Sequence, residues 1–474
     1  MRLTQWLRTS RADRELRLWK VGLVLPLAFI AAIAVAAAVF YTGWDLLDVH
    51  GLKPERRIDS KTLFDLVKLS FGVVAGAGAL VALVVAYRRQ RVDEAGAHRE
   101  DTRLHTERFS QAVDKLGSDS PAVQLGGVHA LAGLADDAPD DSLRQTCIDV
   151  LCAYLQLPFT PDPGNDPAHQ EEHHRYLALR KVRHTILRLI GDHYRRPRGT
   201  HGSWEGCDLD LTDVTIDGPM NFSGATFSGG EVHFNGATFS GGWVDFRGAT
   251  FSGGEVHFNG ATFSGGWVDF RGATFSGGRV HFDEATFSGG MVNFHRATFS
   301  RSTVHFTGAG FSGGWVEFGG ATFSDGMVYF GGAGFSDGRV IFTGAGFSGG
   351  RVIFTGAGFS GGRVDFGGAT FSDDGSVDFD EATFSDGTVN FRGAGFSGGR
   401  VIFTGAGFSG GRVGFDGATF SDGTVHFDNA TFSGGRVTFE GVMGPAPLGL
   451  LAATSTGTSA AVLVLPPAWL ATNP

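Results

Sequence analysis

Ala237-Thr238-Phe239-Ser240-Gly241-Gly242-Trp243-Val244-Asp245-Phe246-Arg247-Gly248 is one copy of a twelve-residue phrase that returns eighteen times between Phe222 and Glu440. A fixed period of this kind sets the architecture before any local signal is weighed. Each copy holds two apolar alternations, Ala237/Phe239 and Val244/Phe246. Alternate residues of a strand share one face, so each pair points inward and the residue between them points outward. The inward set is constant: Phe239, Phe246, Phe251, Phe258, Phe263 and Phe270 form the start of an expected core ladder. The outward residue wanders through His233, Asp245, Asn293, Glu317, Ile341, Tyr329 and Thr438. Constant inside and variable outside describes a packed core with a solvated shell.

The turns agree. Gly241-Gly242 is replaced by Asp-Gly at 325, 337, 386 and 422, and an exchange between Gly and Asp signals a conformational requirement. Single units cannot bury enough apolar surface to stand alone, so stability has to come from the array. Disorder is argued against by two Phe per unit that keep phase, collagen by the lack of Gly at every third residue, and a calcium-binding β-roll by sporadic Asp.

Ala237-Thr238-Phe239-Ser240-Gly241 and Val244-Asp245-Phe246-Arg247-Gly248 each match a five-residue phrase of small, polar, central Leu or Phe, then two small or polar residues. In this the chain resembles the pentapeptide-repeat family, here as a Phe-rich variant. The resemblance implies a right-handed quadrilateral β-helix with Phe stacked along its interior. Two extra residues, Gly242 and Trp243 in the copy above, separate alternate phrases, so a coil needs about 24 residues instead of twenty. Residues 224–246 and 248–270 are identical, a duplication of that same length. Roughly nine coils are expected at the strand spacing of ~4.8 Å, with Leu209, Leu211, Val214 and Ile216 as a degenerate first coil. Phe371 to Phe379 carries an extra residue, read as a bulge, and Arg301-Ser302 is read as a strained turn.

The rest of the chain divides by composition. Residues 1–18 form a basic segment, and 19–90 read as a two-helix transmembrane hairpin with spans at 21–44 and 66–87, each long enough to cross a bilayer. Flanking Lys and Arg then place both termini and the repeat on the cytoplasmic side of the inner membrane, in a multi-pass protein. Residues 91–200 read as an α-helical segment with helices over Asp93–Lys115, after Ser120-Pro121, over Leu143–Leu157 and over Glu171–Arg196. The β-helix occupies 204–440. Residues 441–474, uncharged after Glu440, are either a cap or disordered. The fold class is thus mainly β, a solenoid preceded by two transmembrane helices and a small α-helical segment. This arrangement resembles membrane-associated pentapeptide-repeat proteins of actinobacteria.

Chemistry is sparse. Formal net charge is −10, and residues 222–440 carry 20 acidic against 12 basic residues, which argues against a nucleic-acid partner. His173-His174 beside Glu171-Glu172 lacks a second ligand pair at helical spacing. Cys147 and Cys152 read as small buried residues, and three cysteines in no framework fit a reducing compartment. The repeated Ser has no base beside it. His233, His257, His281, His305 and His426 read as surface decoration. No catalytic residue, cofactor or metal site is expected, and the chain reads as non-enzymatic.

One pattern points to function. Trp243, Trp267, Met291 and Trp315 recur every 24 residues and would stack on one edge, while Glu231, Glu255, Arg279 and Thr303 line a polar edge. Aligned exposed aromatics mark partner sites. The expected function is a membrane-anchored scaffold whose β-helix presents a protein-protein interaction surface to an unknown partner, with the lipid bilayer as the other contact. Two alternatives stand: a DNA-mimicking topoisomerase-interacting protein, implied by the resemblance, and a self-associating structural protein, a homo-oligomer joined through the open C-terminal coil. The six Arg from Arg339 to Arg436 that precede a repeat Val interrupt the acidic surface DNA mimicry needs.

Overall fold

The structure, a computed structural model, describes residues 60–450 apart from Pro161 and Asn165, residues 462–470, and isolated positions between 30 and 45. The chain divides into two units, Met1–Arg103 and Leu104–Pro474. In the first, the main described element is the N-terminal part of helix α1 (Ser60–Leu116).

The two expected transmembrane helices are not supported: among the described residues no helix is long and apolar enough to cross a membrane. The first expected span, 21–44, lies mostly outside the described residues. The second, 66–87, lies inside α1, and Lys68 near its start sits 4.0 Å from Asp65 with both side chains exposed. With the spans falls the multi-pass inner-membrane location.

In the second unit, α1 ends against α2 (Pro121–Asp136), α3 (Asp141–Gln156) and α4 (Gln170–Tyr194), which share a core of Leu116, Val128, Leu131, Ile148, Leu151, Ile186 and Ile190. Pro121 opens α2 as expected, but the Ser120 side chain makes no capping bond; Asp140 does cap α3, accepting from the Leu143 N–H at 2.8 Å.

From Leu209 onward the chain winds through four parallel sheets of ten, ten, eleven and nine strands. The expected degenerate coil is real: Leu209 pairs with Val232 and Ile216 with Phe239. Coil length reads directly from the register, since Val232 pairs with Val256 and Val256 with Val280, 24 residues on each time. The extra residue between Phe371 and Phe379 is absorbed once per sheet, for example where Arg351 pairs with Ser376. Asp373 and Asp374, both at positive φ (49° and 65°), make that bulge. Arg301 is likewise left-handed at φ 50°, and the buried Ser302 hydroxyl beside it has no hydrogen-bond partner.

Phe fills the interior. Phe239, Phe246, Phe251, Phe258, Phe263 and Phe270 are all fully buried. Phe239 stacks on Phe263, Phe246 on Phe270 and Phe251 on Phe275, each at 4.7 Å between ring centroids and 4° between planes. Across the interior the columns meet edge-on, as Phe258 does Phe270 at 87°. Parallel planes along the rod and perpendicular ones across it are both favourable aromatic geometries.

The corners assign separate tasks to separate glycines. The left-handed residue is the one two after each Val-x-Phe or leading Phe, such as Gly236 (φ 66°) and Gly248 (φ 63°). There the Ala237 N–H donates to Phe234 O at 3.1 Å and closes the turn. Glu284, Arg296, Glu381 and Asn429 occupy the same place with φ of 56–59° and no glycine to relieve them. The Gly-Gly pair answers mostly to crowding instead: a Cβ on Gly338 would stand 2.7 Å from that of Phe311, and on Gly399 2.5 Å from that of Phe371. Of the four Asp-Gly exchanges only Asp325 is at positive φ (54°), so the conformational requirement read from that exchange belongs to the other corner.

Both ends of the solenoid are covered by the chain. At the start, Gln145 and Gln156 side-chain amides donate to Asp208 O and Asp210 O at 2.8 and 3.2 Å, satisfying the first strand's edge. Tyr194 lies edge-on to Phe222 at 5.8 Å, and Gly191 lets α4 meet the backbone of Asn221, which a Cβ would approach to 2.4 Å. At the other end Val462–Val464 adds a parallel strand to Arg436–Thr438, and Trp469 packs on Phe439 at 5.3 Å. The described part of the tail is therefore a cap.

Two outcomes follow for stability. Left-handed non-glycine residues cost about 1–2 kcal/mol, so Glu284→Gly and Arg296→Gly each stabilise the fold by about 1 kcal/mol net of glycine's entropy, and Gly248→Ala destabilises it by about 1–2 kcal/mol, read from denaturant unfolding. At the helix-to-solenoid junction, Asp217 accepts from Arg180 Nε at 2.6 Å and lies 2.9 Å from His184 Nε2. Burial raises its pKa, but the His184 and Arg180 bonds outweigh that and bring it from 3.8 to about 2. A depressed carboxylate stabilises the fold above its unfolded pKa, and the contribution is lost as pH falls through the folded one. Asp217→Asn thus lowers stability at pH 7 by roughly 2 kcal/mol, and the gap to the parent closes between about pH 4 and 2 in acid-titrated unfolding.

Candidate functional site

In-register parallel pairing turns any outward position repeated every coil into a column along the rod. On one face the columns begin with Trp243–Asp245, Trp267–Asp269, Met291–Asn293 and Trp315–Glu317. Trp243 pairs with Trp267, Trp267 with Met291 and Met291 with Trp315, so the four residues singled out by spacing do form one edge. Trp243, Trp267 and Trp315 are 44%, 58% and 41% exposed, unusual for such large apolar side chains.

The neighbouring column carries the countercharge. Asp245 and Asp269, nearly buried, are gripped by Arg247 and Arg271 at 2.6 Å. Arg247 also reaches over the Trp243 ring, 5.4 Å from its centroid, and Arg339 does the same to Trp315 at 5.5 Å. Past Trp315 the edge changes character: Arg339, Arg363, Thr388, Arg412 and Arg436 continue it in register. One edge is therefore aromatic over its first coils and cationic over its last. Each cation–π contact covers one face of its ring and ties it to a charged rim.

A second face carries what the sequence reading set aside. Its edge is the expected polar one, Glu231, Glu255, Arg279 and Thr303 in register. Two residues further along each strand lie His233, His257, His281 and His305, stacked ring on ring at 4.9, 5.0 and 4.8 Å. Tyr329 closes the stack on His305 at 4.8 Å. His426 stands apart, since Ile353, Asp378 and Ile402 intervene in its column. Burial, then the neighbouring imidazoles, push His257 and His305 below the ordinary histidine pKa. The 24-residue spacing that singled out the tryptophans is the signal that these histidines share.

The remaining candidates are structural in setting. Cys147 and Cys152 are buried in the helical core, where burial pushes their thiols to about 11 and about 12. His173 lies 2.7 Å from Asp162 and its ring is 6.3 Å from that of His174.

The sequence profile described as pentapeptide repeats, in nine copies, matches residues 204–250 and 242–286. No curated protein matches the chain. The matched segment contains the first coils of the solenoid, and the coils that follow keep its registers, its Phe columns and its corners to Glu440. The profile match over residues 204–286 and the geometry that the later coils share with it support reading the solenoid as a pentapeptide-repeat structure.

Proposed function

We propose that the protein is a non-enzymatic scaffold whose β-solenoid presents the Trp243, Trp267, Met291 and Trp315 edge to a protein partner. The observation that carries this reading is three tryptophans left 41–58% exposed in a single register column on a rigid support. Rigidly held aromatics are the residue type that dominates association energies, because little conformational freedom is lost on binding. Arg247 and Arg339 beside the rings supply a polar rim of the kind that surrounds such contacts. With helices at one end and Trp469 at the other, the lateral columns are the surfaces on offer, which weighs against joining copies through an open terminal coil.

The DNA-mimic reading requires an unbroken negative potential. Arg339, Arg363, Arg412 and Arg436 run down the tryptophan face, and Arg351 and Arg400 down the histidine face, so neither edge supplies one.

The test is a capture experiment in three arms: the intact protein, a Trp243→Ser, Trp267→Ser, Trp315→Ser variant, and a His233→Asn control on the other face. The tryptophans stand outside the Phe core, and unchanged cooperative thermal unfolding of the triple variant verifies that its solenoid is intact. A protein held by the parent and the control is lost from the triple variant, each central tryptophan contributing about 2 kcal/mol. Equal capture by all three arms removes the edge from consideration.

A further inference from the structure

Among the described residues, two sets of three ligating side chains bring their donor atoms within 4.8 Å of one another, and both lie on the histidine face: Glu255, His257, His281, and His281, Asp283, His305. They share His281, so the face holds one complete triad at a time. The two sets differ in what else their carboxylate does. Glu255 is engaged by Arg279, whose Nη1 lies 3.4 Å from Oε1, and a guanidinium in that position competes with a cation. Asp283 is arranged differently. Its Oδ1 accepts the Thr307 N–H at 2.9 Å, which fixes the carboxylate, and its Oδ2 faces His281 Nδ1 at 3.5 Å.

We propose that His281, Asp283 and His305 form a binding site for a divalent transition-metal ion of the zinc class. Two imidazoles and one carboxylate suit zinc and its neighbours, with water completing the coordination. The backbone supplies the positioning: His281 and His305 are directly paired on adjacent parallel strands. Asp283 follows two residues after His281, at the corner where the Asn259 side-chain oxygen accepts its N–H at 3.2 Å. Metal–ligand bonds of about 2.0–2.1 Å place donors of a tetrahedral ion about 3.3 Å apart. The donor atoms, within 4.8 Å of one another, therefore close by at most about 1.5 Å to hold an ion. The three side chains stand half-buried on the outward face, clear of the Phe interior. A hydrogen bond that orients a ligand from outside the coordination sphere, as Thr307 does for Asp283, is itself a recurring feature of metal sites. The site lies away from the tryptophan edge and is independent of the scaffold reading.

The experiment uses untagged full-length protein, with Zn2+ followed by calorimetry and Co2+ by visible absorption. The parent takes up an ion whose affinity falls at least about tenfold in Asp283→Asn and in His305→Tyr, while His233→Asn leaves it unchanged. His305→Tyr keeps a stacked ring at that rung, as Tyr329 does one coil on, so its solenoid stays intact, and unchanged apo thermal unfolding verifies this. Equal affinity in the parent and in both triad variants overturns the proposal. So does a fall that follows His257→Asn and Glu255→Gln but spares Asp283→Asn, which moves the ion to the other triad.

Discussion

The structure depends on one coincidence of lengths: parallel strands repeat at about 4.8 Å, and Phe rings stack offset at almost the same separation, 4.7 Å from Phe239 to Phe263. Each coil must therefore return every Phe to its place above the last. A coil one residue too long would carry its inward side chains to the outside. This is why the surplus residue after Phe371 is discharged at one corner by Asp373 and Asp374, both left-handed, and not spread along a strand. The same pressure explains the second glycine of each pair. Successive coils approach so closely there that a Cβ on Gly338 would collide with Phe311.

Freedom excluded from the interior moves to the outward positions, and register gives it order. Any outward residue duplicated with the coil becomes a column, whether Trp243 over Trp267 or His281 over His305. Column neighbours then interact at fixed spacing: arginine over tryptophan on one face, imidazole on imidazole on another. A solenoid of this kind separates stability from recognition, since the columns can vary without touching the Phe core. The ends are where that separation stops. Tyr194 and Trp469 belong to the first and last layers of the aromatic core as much as to the caps that carry them.

Much was legible in the residues. The twelve-residue phrase, the 24-residue coil, the buried Phe and the aromatic edge all follow from period and alternation, because a repeat's register is a property of the sequence itself. The helices after Ser120 were legible too, from apolar spacing and the proline at the first turn. The expected membrane spans were not sustained: among the described residues no helix is long and apolar enough to cross a membrane, although the apolar run at 66–87 with Lys68 near its start reads as one in the sequence.

By itself the sequence determined the solenoid, its core and the positions of the columns, since these need only a count of residues between like side chains. The tertiary structure decided which glycine must be left-handed, that Asp-Gly at 337, 386 and 422 is not, and that the tail closes the last coil. It also decided that Asp283, fixed by Thr307, faces His281 while Glu255 is taken by Arg279. Each of these turns on distances between atoms a full coil apart, which sequence spacing aligns but does not measure.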